Sequence, residues 1–209
     1  MERSYEPASA AEAEVVGLLA YSALAMMTRL AKDGDQAPTF RDHVVHARMS
    51  SLAFHRYEEL EVWAGHRGFD LIEASEQFNG IFDDLEARTR PATWMERSIK
   101  TYVTKGILTD FLRQVTERHQ LFVEEDDAWD FGQAVWVQEH LAPVIAADEQ
   151  LAARLSLWAR RVAGEVLGLV RSTLFTHPAL AIDADTVDAV VASVGEHHGK
   201  RMAAIGLKA

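Results

Sequence analysis

The chain has 209 residues, 48% of them hydrophobic and 25% charged, with a formal net charge of −11. These shares supply enough apolar side chain for one core and exclude a disordered class. Cysteine is absent, which excludes disulfides, thiolate catalysis and cysteine-ligated zinc or iron–sulfur sites. The acidic balance counts against a nucleic-acid partner, which calls for a basic stripe.

The length suits a single domain, read as a flexible N-terminus over 1–10 and one helical domain over 11–209. Met1 to Pro7 shows no charged-then-apolar leader. The apolar run Val15 to Met27 is shorter than the roughly 20 residues of a membrane span. A cytoplasmic protein without a membrane partner is therefore expected.

A first helix is predicted over about 11–32, with Val15, Leu18, Leu19, Ala23, Met26 and Leu30 at helical spacing. Gly34 and Pro38 end it. Thr39 is the N-cap candidate of a second helix reaching about Ala64, closed by Gly65 and Gly68. Shorter helical pieces with Leu71, Ile72, Phe78, Ile81, Phe82 and Leu85 then form a crossover that stops at Pro91. Thr93 and Glu96 have capping-box spacing for a third helix to about Arg118. A fourth is predicted over about 122–141, opening on Glu124, Glu125, Asp126 and Asp127, acids that favour a helix N-terminus. Two more are expected over about 147–175 and 185–204, the former with Leu151, Leu155, Trp158, Val162, Val166 and Leu169 inward. No segment alternates with the period of a strand.

Two helix pairs joined by a long crossover are what a ferritin-like four-helix bundle requires. The fold class is thus read as all-α, a bundle of this kind with extra C-terminal helices. Di-metal members of that class use Glu-x-x-His twice. None of the nine histidines here has Glu or Asp three residues before it.

Several short stretches carry a resemblance. They are Val16 to Tyr21, Ala47-Arg48-Met49, Thr89 to Glu96, Lys100 to Ile107, Asp110-Phe111, Leu157 to Arg161 and Gly164-Glu165. Together they resemble an actinobacterial ferritin-like family, distantly similar to the di-iron tRNA hydroxylase that oxidises methylthio-isopentenyl-adenosine. The resemblance implies metal ligands at certain positions. A glutamate is expected at Ala23. The first Glu-x-x-His falls on Ala53 to Arg56, and His55 is one residue, about 100°, off. The third-helix carboxylate matches Asp110. The second Glu-x-x-His falls on Glu125 to Ala128. At most two carboxylates remain, and no imidazole.

Helical phase puts Met49, Leu52, Arg56, Leu60 and Trp63 on one face, and Ile99, Val103, Gly106 and Asp110 on another. Arg56 and Asp110 are therefore expected to form a buried ion pair at the former metal level, since a paired buried charge costs less than a lone one. Glu165 is a candidate pocket acid beside Asp110, with Tyr102 or Tyr21. Asp42, His43 and His46, and Glu196-His197-His198, have ligand spacing but read as solvent-facing. Glu58, Glu59 and Glu61 read as a solvated face, and Arg154, Arg160, Arg161 and Arg171 as a basic outer face. No nucleotide-binding or hydrolase motif is present.

The expected function is a non-catalytic binding or structural protein without a cofactor. The alternative is a di-iron oxygenase or hydroxylase drawing on Asp110, Glu125, Glu165 and His55. An iron-storage role lacks ligands. Trp129 and Trp136, seven residues apart, suggest a helix face for homodimerisation.

Overall fold

The computed structural model describes residues 6–122, 129–181 and 186–209. The protein is all-α, with no strand among the described residues. Its long helices are α1 (Ala10–Asp35), α2 (Phe40–His66), α5 (Trp94–Arg118) and α8 (Glu149–Thr176). The crossover between α2 and α5 carries α3 (Leu71–Glu76) and α4 (Asp83–Arg88). Short α6 (Gln133–His140) and α7 (Ala142–Ala146) precede α8, and α9 (Thr186–Ala204) completes the chain.

α1 and α2 form an antiparallel hairpin. Arg67 meets Glu12 at 2.8 Å at one end, Ser50 donates to the Met27 carbonyl at 2.8 Å in the middle, and His46 abuts Gly34 at the other. Ser9 caps α1 in a full capping box with Glu12, and the Ala8 amide donates to the Arg67 carbonyl. Residues 8–10 are thereby fastened to the bundle. An 18-residue window of α1 is apolar enough to cross a membrane, but half of it is buried inside the protein. Val15, Val16, Leu19, Ala23 and Leu30 are fully enclosed.

α3 is clamped on α1 at Gly17. A β-carbon there would lie 2.1 Å from the Ala74 carbonyl oxygen, so only glycine fits this crossing. The Thr93 cap accepts from the Glu96 amide at 3.2 Å and starts α5 as the spacing predicts. From Ser98 to Lys105 every residue of α5 is buried, because α1, α6, α8 and α9 all pack on it.

The predicted fourth helix differs. Of the span 122–141, the described part is helical only over Gln133–His140, and Gly132 enters it in the left-handed region at φ 79°. Phe131 also has positive φ, at 48°. Two consecutive left-handed residues break the helix there, which side-chain periodicity does not reveal. The fourth long helix is instead α8, capped by Asp148.

Candidate functional site

Ala23 on α1 and Ala53 on α2 are fully buried. Arg56 is also buried, one turn on, but not against Asp110. Its Nη1 donates to Glu59 at 2.9 Å. Its guanidinium lies over the rings of Phe122 and Trp129, 5.3 and 5.5 Å from their centroids. Desolvated cation–π contacts of this kind are worth about 2 kcal/mol.

Asp110 faces the other way. Its Oδ2 accepts from Arg201 Nη1 at 2.5 Å, and His197 Nδ1 stands 3.7 Å from the same oxygen. The expected Arg56–Asp110 pair is thus replaced by two ion pairs on different elements. Phase marked Asp110 as inward, but α5 is enclosed on several sides, and this side meets α9. The face of α2 is also turned slightly from expectation. Ala53 and Ala64 line it, while Leu52 is 52% exposed.

Glu165 shares no pocket with Asp110. It meets Arg88 of α4 at 3.4 Å, with its side chain 31% exposed. Tyr21 accepts from the Gly80 amide at 2.9 Å, and Tyr102 donates to the Arg201 carbonyl at 3.1 Å. His55 is solvent-facing beside Glu58 and Glu59. Glu125 and Ala128 lie outside the described residues. The oxygenase ligands Asp110, Glu165 and His55 therefore stand apart, each with its own neighbours.

Two histidines expected at the surface are interior. His46 is 1% exposed, its Nδ1 2.8 Å from the Asp42 carbonyl and its ring edge-on to Trp136 at 4.6 Å. His198 is 5% exposed, and burial, reinforced by Arg201, lowers its pKa to about 4. Trp129 and Trp136 are interior too, so they present no outer face for a second copy.

A group that sequence reading passed over lies between α1, α4 and α5. There a cavity of about 260 Å³ is lined by Arg29, Lys32, Asp33, Glu86, Arg97 and Lys100 at one end. Tyr21, Leu24, Ala25 and Phe82 line the other, where the Tyr21 and Phe82 rings stack at 5.8 Å. Arg29 pairs with Glu86 at 2.5 Å, and Lys100 reaches Glu86 at 2.7 Å and the Thr89 carbonyl at 2.9 Å. The Asp33 side chain is 1% exposed, and its nearest cation, Arg97, is 3.9 Å away. Burial raises its pKa to about 6, against the opposing pull of Thr101, Arg29 and Arg97. Burial likewise lowers the pKa of Arg29 and of Lys100. The sequence signal was a cluster of charges, Arg29-x-x-Lys32-Asp33 and Arg97-x-x-Lys100, near the ends of otherwise core-forming helices.

The bundle and its crossover define the class, a ferritin-like helical protein. Residues 6–193 match the ferritin-like domain of actinomycetes, and the chain belongs to that family. No curated protein matches it. The fold implies a di-iron or di-manganese centre of about four carboxylates and two imidazoles. Two alanine methyls and a guanidinium do not fit that donor set. Among the described residues, no three His, Asp or Glu side chains are gathered to hold one ion.

Proposed function

We propose that the protein is a non-catalytic binding member of the ferritin-like family that has given up the di-metal centre of the fold. The observation that carries this reading is Arg56. A cation held among Glu59, Phe122 and Trp129, at a position where the family resemblance expects a ligand, would repel a metal ion. Ala23 and Ala53 support it, because each puts a buried methyl where a donor is expected. The resemblance to the tRNA hydroxylase is then one of scaffold rather than of chemistry.

Metal analysis of protein expressed in iron- and manganese-supplemented medium tests the proposal. The expected result is substoichiometric metal, unchanged by Asp110→Ala. About two ions per chain, lost in that variant, would overturn it in favour of a di-metal enzyme.

A further inference from the structure

We propose that the cavity between α1, α4 and α5 is a binding site for a small phosphomonoester with a compact apolar body. The proposal names the ligand of the binding reading above and rests on it for the claim that binding is the protein's task.

The charges at the polar end do not balance. Arg29, Lys32, Arg97 and Lys100 face Asp33 and Glu86, which leaves an excess of two positive charges. In a chain of net charge −11 this is a local inversion of sign. A phosphomonoester carries close to two negative charges at neutral pH. Two of the cations are built into the wall rather than waving in solvent: the Arg29 and Lys100 side chains are 9% and 4% exposed. Arg29 Nε is a buried donor with no partner in the protein. A buried donor left unsatisfied is costly, and an oxyanion would satisfy it.

The opposite end selects the body of the ligand. Stacked Tyr21 and Phe82, with Leu24 and Ala25, offer an apolar wall to a ring or short chain. Asp33 and Glu86 set the limits of the polar end. Glu86 is committed to Arg29 and Lys100, and the buried Asp33 lies 3.9 Å from Arg97.

Calorimetric titration of the full-length protein at low ionic strength tests this, with phenyl phosphate, inorganic phosphate and benzoate as probes. Phenyl phosphate should saturate at one per chain. It should bind at least tenfold tighter than benzoate, which lacks the second charge, and tighter than inorganic phosphate, which lacks the apolar body. Arg29 and Lys100 variants could fail to fold, so the decisive variant changes the rim, Lys32→Ala with Arg97→Ala. It should weaken phenyl phosphate binding at least tenfold while leaving the helical circular dichroism unchanged. No saturable heat, benzoate binding as tightly as phenyl phosphate, or an unaffected rim variant would each overturn the site. Bound iron alongside phenyl phosphate binding would instead remove the metal-free reading and leave this site standing.

Discussion

Asp110 on α5 and Arg201 on α9 are joined by a 2.5 Å hydrogen-bonded ion pair, and Gly106, one turn before Asp110, makes room for it. A β-carbon at Gly106 would sit 2.4 Å from Arg201 Nε. The arginine therefore lies directly across the α5 backbone, and Tyr102 holds its carbonyl from the same side. The carboxylate that the family resemblance marks as a metal ligand thus serves as a clasp between two helices.

A double-mutant cycle separates this clasp from the pair that helical phase suggests. Asp110→Ala and Arg201→Ala should couple by about 0.5–3 kcal/mol, as contacting charges do. Asp110→Ala and Arg56→Ala should be additive to within about 0.5 kcal/mol. Denaturant unfolding of wild type, the three single variants and the two double variants measures both terms. A large Arg56–Asp110 coupling would restore the discarded pair.

Arg56→Ala by itself should destabilise the fold by about 1–3 kcal/mol, through lost ring contacts and a lost ion pair. Arg56→Lys should recover only part of this, because an ammonium lacks the planar face that stacks on Phe122 and Trp129. Equal midpoints for the lysine variant and wild type would show that charge alone matters at this position.

Asp33 and His198 give opposed pH dependences. Asp33 has a folded pKa near 6, above its ordinary 3.8, so the native state holds a proton that the unfolded chain releases. Its contribution to stability falls as pH rises between those values. His198 has a folded pKa near 4, below 6.5, so the unfolded chain binds the proton first, and stability falls as pH drops through that window. The two contributions largely cancel between pH 4 and 6. Asp33→Asn should therefore stabilise the protein by roughly 1–3 kcal/mol at pH 7 and by almost nothing at pH 3.5. His198→Leu should remove the acid-side loss and leave a profile that declines towards neutrality. Parallel profiles for wild type and both variants would contradict this assignment.

Gly17→Ala tests the seat of the crossover. The added methyl meets the Ala74 carbonyl at 2.1 Å, and neither helix backbone can yield cheaply. A loss of about 1–3 kcal/mol is expected, as for other overpacked sites. Gly65→Ala, with open space around it, should be neutral or slightly stabilising, since alanine favours the helix. Thermal unfolding of the pair checks the contrast.

Much of the scaffold was legible because the elements announce themselves locally. Thr39 and Thr93 cap the helices they were expected to cap, and the apolar periodicity of 11–32 and 147–175 matches α1 and α8. What periodicity could not supply was the identity of the neighbour. Asp110 and Arg56 are both inward, yet they point at different partners, because α5 is surrounded rather than one-faced. Two helical positions near apolar residues also hid their burial. His46 and His198 read as polar surface, and both are enclosed. The cavity was illegible for the same reason: its cations come from α1 and α5, and the carboxylate that bridges Arg29 and Lys100 comes from α4 between them.

The recognised family segment stops at residue 193, but the folded unit does not. Beyond it, Met202, Ile205 and Leu207 are interior, Arg201 clasps Asp110, and the Lys208 amide donates to Ser156 on α8. A chain trimmed to the family boundary would lay bare the flank of the central helix and leave Asp110 without its arginine. Such a fragment should aggregate or melt early. The last sixteen residues act as a rivet closing the bundle from outside, and any expression or deletion study that treats them as a dispensable tail would measure damage rather than function.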